Sequence, residues 1–281
     1  MRIDLHTHSN VSDGTLTPVQ VIEAASDAEL DVLALTDHDA IAGWSLAAPA
    51  AQAVGIVFVP GVELSCRWYG VEPAIPLHLL AYYVDPEHAG LAAEMSRVRQ
   101  ARERRAEDIV ALMRADGVDV TWDEVLAYSG GGTVGRPHLA QALIRRGLAA
   151  TVSEAFVPSM LGERWRLPKA DTDVFTALDL VRGAGGVPVF AHPRATNRGR
   201  VVPDELIAQM AARGLFGLEA DHEDHTPRQR EEVRALAGSL GLVVTGSSDF
   251  HGANKTVVLG ANLTDPEVFS QIQAAARPPA S

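Results

Sequence analysis

The chain is 281 residues long, 47% hydrophobic and 21% charged, with a formal net charge of −12. That composition is globular rather than disordered, and the acidic excess argues against broad attachment to nucleic acid or an anionic membrane. No apolar run reaches the roughly 18 residues of a bilayer span, the first residues do not read as a signal peptide, and the one cysteine, Cys66, suits a reducing cytoplasm.

Seven short Val/Leu/Ile-rich runs read as strands: 2–5, 32–36, 56–62, 76–82, 187–191, 214–219 and 242–247. They are nearly continuous rather than alternating, as expected of parallel strands covered on both faces. Helix starts lie between them. Thr17-Pro18-Val19-Gln20 carries an N-cap, a proline at the first helical position and a glutamine three residues after the cap, and Thr226-Pro227-Arg228-Gln229 repeats the pattern. Asp265-Pro266-Glu267 opens a last helix.

The alternation breaks between about 90 and 170. A charged helical segment, Ala92 to Ala115, is followed by a helix start at Thr121-Trp122-Asp123-Glu124. Then come a flexible Gly130-Gly131-Gly132 and Gly135-Arg136-Pro137-His138, which leads into a helix over 139–146. The expected organisation is a discontinuous (β/α) barrel of about seven strands, residues 1–90 and 170–276, with a helical insertion or lid, 91–169, over its mouth. Residues 277–281 read as a disordered tail.

Chemistry-bearing residues cluster where strands end. His6 and His8 follow the first run, with Asp13 close behind; Asp37 and His38 follow the second; Glu63 follows the third; His192 follows the fifth; Asp249 and His251 follow the seventh. His78 lies inside the fourth run, acceptable if that strand bends towards the pocket. In barrels of this kind the chemistry sits at the C-terminal ends of the strands. A lone His-x-His is weak evidence, but imidazoles and carboxylates repeated at strand ends are the ligand mix of a multinuclear divalent-metal site.

With Asp4-Leu5-His6-Thr7-His8-Ser9, Ser12-Asp13-Gly14, Ala34-Leu35-Thr36-Asp37-His38-Asp39, Pro60-Gly61-Val62-Glu63 and Gly246-Ser247-Ser248-Asp249-Phe250-His251 in hand, the chain resembles the polymerase-and-histidinol-phosphatase (PHP) superfamily. His78 and Ala191-His192-Pro193 fill its remaining positions. The segment around Gly135-Arg136-Pro137-His138 resembles the stand-alone TrpH/YciV-type branch, which includes 3',5'-nucleotide bisphosphate phosphatases and the 5'-to-3' exoribonuclease RNase AM. The resemblance implies an α/β fold, a distorted (β/α)7 barrel with a helical insertion domain. It also implies two or three divalent ions, manganese foremost, with iron or zinc compatible. His6, His8, Glu63 and Asp249 would hold the first; bridging Glu63 with His78 and His192 the second; Asp13, His38 and His251 the third.

The implied activity is a metal-dependent phosphohydrolase. Metal-activated hydroxide would remove the 3'-phosphate of a nucleoside 3',5'-bisphosphate such as pAp, giving AMP, or act 5'-to-3' on short 5'-phosphorylated RNA. The partner is then a small phosphorylated nucleotide or the 5' end of a short RNA, in the cytoplasm, with no membrane and no stable protein partner indicated. Arg136 and His138 are candidates to grip a second phosphate. His222 is a candidate proton donor or phosphate contact, weighed against an exposed loop residue. Asp37 is read as the group that orients a ligand imidazole. Arg97, Arg99, Arg102, Arg104 and Arg105 read as a solvated helix face, with Arg99 and Arg102 the two left open as facing the pocket, and Lys169 as a distant candidate. Histidinol-phosphate-type phosphatase activity is the alternative, and a non-catalytic metal-stabilised module the alternative of another class.

Overall fold

A computed structural model of the chain describes residues 1–129 and 132–277. Gly130, Gly131 and residues 278–281, on which parts of the expected flexible stretch and tail fall, lie outside the described residues. The backbone NH of Arg277 donates to Gly185 O at 2.9 Å, so the first residue of the expected tail is tied to the barrel.

The strands are β1 (Ile3–Asp4), β2 (Val32–Leu35), β3 (Val57–Trp68), β4 (Ile75–Tyr82), β5 (Thr172–Asp173), β6 (Val187–Phe190), β7 (Gly217–Asp221) and β8 (Val243–Gly246). Hydrogen bonding runs β1-β2-β3-β4-β6-β7-β8, with short β5 beside the far end of β3. The two ends of this path meet at the mouth. Thr7 bridges Phe250 in parallel, the His8 NH donates to Phe250 O and the Asp249 NH to His6 O, both at 2.9 Å. Seven strands thus make a distorted, nearly closed (β/α)7 barrel.

Not all of them are parallel, contrary to the sequence expectation. β4 is antiparallel to both β3 and β6. The cause is the length of β3, which continues to Trp68 and leaves only a short turn before Ile75. A parallel crossover needs about a dozen residues or more, so the chain returns as a hairpin. His78 therefore needs no bend: β4 starts at the mouth, and His78 pairs in register with Ser65.

The expected capping boxes are formed at Thr17 of α1 (Pro18–Asp27) and Thr226 of α9 (Pro227–Leu240), each threonine accepting from the glutamine NH three residues on. α1 and α2 (Trp44–Val54) cover β2 through Val21, Ile22, Ala25, Leu33, Leu35, Ala47 and Ala51. α7 (Val174–Gly183), α8 (Asp204–Ala212) and α9 cover the other side. α10 (Pro266–Ala275) packs Phe269 and Ile272 against Ile3, Leu5, Val59 and Val189.

The intervening helices are α3 (Ala89–Ala115), α4 (Trp122–Ser129), α5 (Arg136–Arg145) and α6 (Val152–Ala155). α5 begins three residues before the expected 139, with Gly135 at the N-cap position and its NH donating to His138 Nδ1. A separate apolar cluster holds them, with Ile109, Met113, Val125, Leu139, Leu143 and Trp165 at its centre. α3 belongs to both bodies: Leu91 and Met95 pack in the barrel cluster, Ala106 to Met113 in the other. No helix of the described residues is long and apolar enough to cross a membrane.

Candidate metal centre

The loops leaving β1, β2 and β8 and the mouth ends of β3, β4 and β6 bring the nine predicted ligands together. Nε2 of His6 and Nε2 of His8 lie 3.1 Å apart. Each is 3.2 Å from Glu63 Oε2 and 3.3 Å from Asp249 Oδ1. The other carboxylate oxygen of Glu63, Oε1, lies 2.9 Å from His78 Nδ1 and 3.3 Å from His192 Nε2. His251 Nε2 is 3.3 Å and His38 Nε2 3.8 Å from Asp13. Donor atoms of His8, Asp13, His38 and His251 all lie within 4.8 Å of one another, as do those of His6, His8 and Glu63, and those of His38, Glu63 and His78. His8 thus stands between two groups, and His38 faces Glu63 through Nδ1 at 3.1 Å as well as Asp13 through Nε2.

These residues fit divalent cations. His38 Nδ1 and His78 Nδ1 are buried without a hydrogen-bond partner, although each approaches Glu63 closely. Nitrogens near a carboxylate but not aligned to donate to it keep a lone pair that can bind a cation. The outer faces of the ligands agree. His6 Nδ1 meets Glu219 Oε1 at 3.0 Å and His251 Nδ1 meets Asp249 O at 2.8 Å, which assigns the proton to Nδ1 and leaves Nε2 free for a cation. His192 and Asp249 also hold left-handed backbone angles, φ 34° and 55°, a cost that clusters at functional sites.

Two centres of support were not predicted. Glu219, fully buried in β7, binds His6 and accepts the His192 backbone NH at 2.9 Å. Burial alone would raise its pKa, yet His6, His222 and His192 hold it at about 2. The signal, a carboxylate closing the apolar run 214–219, was present in the sequence. Lys255 Nζ and Arg198 Nη2 both reach Asp249 Oδ2, at 2.5 and 2.7 Å. Against its burial, Lys255, His6, His251 and Arg198 hold the Asp249 carboxyl well below its usual range.

The remaining predicted residues divide. Asp37 has no hydrogen bond to its neighbour His38: it accepts from Ser9 N, Ser9 Oγ and Ser12 Oγ at 2.6–2.8 Å. It acts instead on His8, whose Nδ1 lies 3.3 Å from the same Ser12 Oγ. His222 is no exposed loop residue but 1% exposed, with Nε2 3.2 Å from Asp249 Oδ2. Its Nδ1 accepts the Asp224 NH at 3.0 Å, so the proton of the neutral ring sits on Nε2.

Beside the centre lies a cavity of about 940 Å³. His78, His192 and Arg198 line it from the barrel, and Arg105, Arg136, Arg166 and Lys169 from the helical side, with Arg67 and Arg200. Among the described residues no Asp or Glu lines it, although the whole chain carries −12. Arg136 lies over the Phe156 ring at 5.0 Å. Burial and the charges of Arg102, Arg105 and Arg136, against Asp171, bring Lys169 down to about 7. His138 does not join them: it is buried, and its Nδ1 accepts the Gly135 NH at 3.0 Å, capping α5. The expected solvated arginine face is also only partly one. Arg97 pairs with Glu94, but Arg99 donates to Asp39 O, Arg102 binds Asp39 and Ser65, and Arg105 enters the cavity wall.

Residues 4–116 match the model of the PHP domain. The chain is 32% identical to a 5'-3' exoribonuclease of Haemophilus influenzae, over 93% of this chain and 94% of that one. It is 32% identical to a 3',5'-nucleoside bisphosphate phosphatase of Chromobacterium violaceum, over 89% and 87%. A crystal structure from Bifidobacterium adolescentis, described as a metal-dependent phosphoesterase, superposes with a TM-score of 0.92 at 35% identity, covering 98% of this chain and 96% of that one.

Proposed function

The chain belongs to the PHP-domain family and is a phosphoric ester hydrolase, and from that premise we propose that it removes the 3'-phosphate from nucleoside 3',5'-bisphosphates. The observation that carries this reading is the acid-free cationic cavity adjoining the histidine and carboxylate cluster. A substrate with one phosphate needs only the cluster; a second phosphate gives the Arg105, Arg136, Arg166 and Lys169 wall something to hold.

The predicted ligand set is retained: His6, His8, Glu63 and Asp249; Glu63, His78 and His192; Asp13, His38 and His251. Manganese is our first choice of ion. Divalent ions bound there supply Lewis acidity, acidifying a water and offsetting charge on the phosphoryl oxygens. The chain's own groups do the rest. Glu219 and Ser12 fix the rings of His6 and His8. Arg136 and Lys169 hold the 5'-phosphate and so set where the 3'-phosphorus lies. His222, protonated on Nε2, is the group we assign to the leaving 3'-oxygen or to a phosphate contact.

A second reading, 5'-to-3' removal of nucleotides from short 5'-phosphorylated RNA, is favoured by the cavity volume, which lies at the upper end of the roughly 300–1,000 Å³ of small-molecule sites. One pocket serves both, since each grips a 5'-phosphate and attacks phosphorus on the 3' side. We read the reaction as cytoplasmic; a nucleotide substrate and a single thiol, Cys66, support that reading. The test is phosphate release by Mn-loaded protein from pAp, 5'-AMP, 3'-AMP and histidinol phosphate, side by side. Turnover of pAp to 5'-AMP, with little on the monophosphates, is expected. Fastest turnover of histidinol phosphate would overturn the two-phosphate reading.

A further inference from the structure

Arg198 belongs to none of the predicted ligand or substrate sets, yet its guanidinium sits among the ligands. It ends the single helical turn Thr196–Arg198 in the loop after β6. Nη1 lies 3.0 Å from His192 Nε2, Nη2 lies 2.7 Å from Asp249 Oδ2, and Nε donates to Asp224 Oδ2 at 2.6 Å. The side chain lines the cavity and is about one-third exposed.

The contact with His192 decides the matter. Nε2 is the nitrogen His192 turns to Glu63, 3.3 Å from Oε1. An imidazole nitrogen that accepts a hydrogen bond uses the one lone pair with which it would bind a cation. Arg198 is always charged and carries donors only. The Arg198–His192 hydrogen bond and a divalent ion on His192 Nε2 are therefore mutually exclusive.

We propose that Arg198 is a metal-gated phosphate-binding residue: a cation arriving on His192 displaces the guanidinium, which then turns to the cavity and binds the non-bridging oxygens of the phosphoryl group. The loop is built for such a turn. Asn197 and Arg198 hold Asp224 from both sides, which keeps the guanidinium beside the site when it lets go of His192. Arg194 anchors the start of the loop to Val202 O and Asp204. Gly199, the residue after Arg198, has φ 128° and ψ −152°, a region open essentially to glycine alone, and a Cβ there would meet open space. Glycine is needed for the backbone angle and not for room. The reading of the ligand as a phosphoryl group rests on the phosphohydrolase assignment above; the competition for His192 does not.

The experiment measures binding and not turnover. Mn affinity is read by chelator competition, and inorganic phosphate affinity on the Mn-loaded protein by calorimetry, for wild type, Arg198→Met and Arg198→Lys, with melting curves to confirm folding. In Arg198→Met, Mn binds about fivefold more tightly and phosphate about tenfold more weakly. Arg198→Lys keeps the charge but loses the fork that spans His192, Asp249 and Asp224, so its Mn affinity also rises. Mn affinity that is unchanged or weaker in Arg198→Met overturns the gate. A rise in Arg198→Met with Arg198→Lys at the wild-type value reduces the effect to net charge and overturns it as well. Unchanged phosphate affinity overturns the clamp. Because no ester is hydrolysed, failure of the activity assay and failure of this proposal are told apart.

Discussion

Glu219 shows how much one buried carboxylate does in this site. One oxygen orients the His6 ring and the other holds the backbone NH that sets the strained φ of His192. In Glu219→Gln the shape is kept and the charge lost, and outer partners of metal-binding histidines are typically worth about 10–100-fold in metal affinity. Mn content after dialysis against graded chelator should show a loss in that range with little change in the circular dichroism spectrum. Lys169 gives a prediction in pH. Its pKa near 7 means that the ammonium is present below about pH 7 and lost above it, while a 5'-phosphate is a dianion above its second pKa of about 6. The preference for pAp over 3'-AMP, measured as the ratio of kcat/KM values, should fall between pH 7 and 9. In Lys169→Arg, charged throughout, the ratio should stay level. A level wild-type ratio would remove Lys169 from the phosphate grip.

At the scale of elements, the ligand loops depend on turns that admit no side chain. Gly14 closes the Ser12-Asp13-Gly14 turn, and a Cβ there would lie 2.5 Å from His8 O. Gly14→Ala must shift the backbone that carries both Asp13 and His8, so the group formed by His8, Asp13, His38 and His251 should loosen first. Metal analysis should show about one ion fewer per chain, with the strand core, remote from the turn, little affected in its melting. The element-level expectations held where local signals are strong, as in the capping boxes at Thr17 and Thr226 and the long charged helix α3. They failed at β4, because strand direction follows from the length of the connection, and the extension of β3 to Trp68 depends on pairing with β4 itself. The reading of the arginine series failed for a related reason. A helix that packs one flank on the barrel turns Arg99, Arg102 and Arg105 inward, and periodicity within the helix does not say which flank that is.

For the whole molecule, the site concentrates negative and electron-rich groups in the barrel mouth and cations in the cavity beside it. Metal binding should therefore stabilise the folded chain in a concentration-dependent way, by about 2.7 kcal/mol at a hundredfold excess over Kd. The melting temperature should rise with Mn and fall on chelation; no dependence on Mn would argue against a cation site in the cluster. The sequence by itself determined the family resemblance, the barrel class and the imidazole and carboxylate residues gathered at the mouth. His6, His8, His38, Asp249 and His251 each follow a short apolar run whose end opens at the barrel mouth, whereas Glu63, expected at a strand end, lies inside β3. It did not determine which residues support or oppose those ligands. Glu219, Arg198 and Lys255 come from separate strands and loops, and Asp37 passed over the adjacent His38 to serve His8 through Ser12. Hydrogen bonds and ion pairs act over about 3 Å, and only the closed barrel, with helices α3 to α6 packed beside it, brings groups so far apart in sequence within that reach.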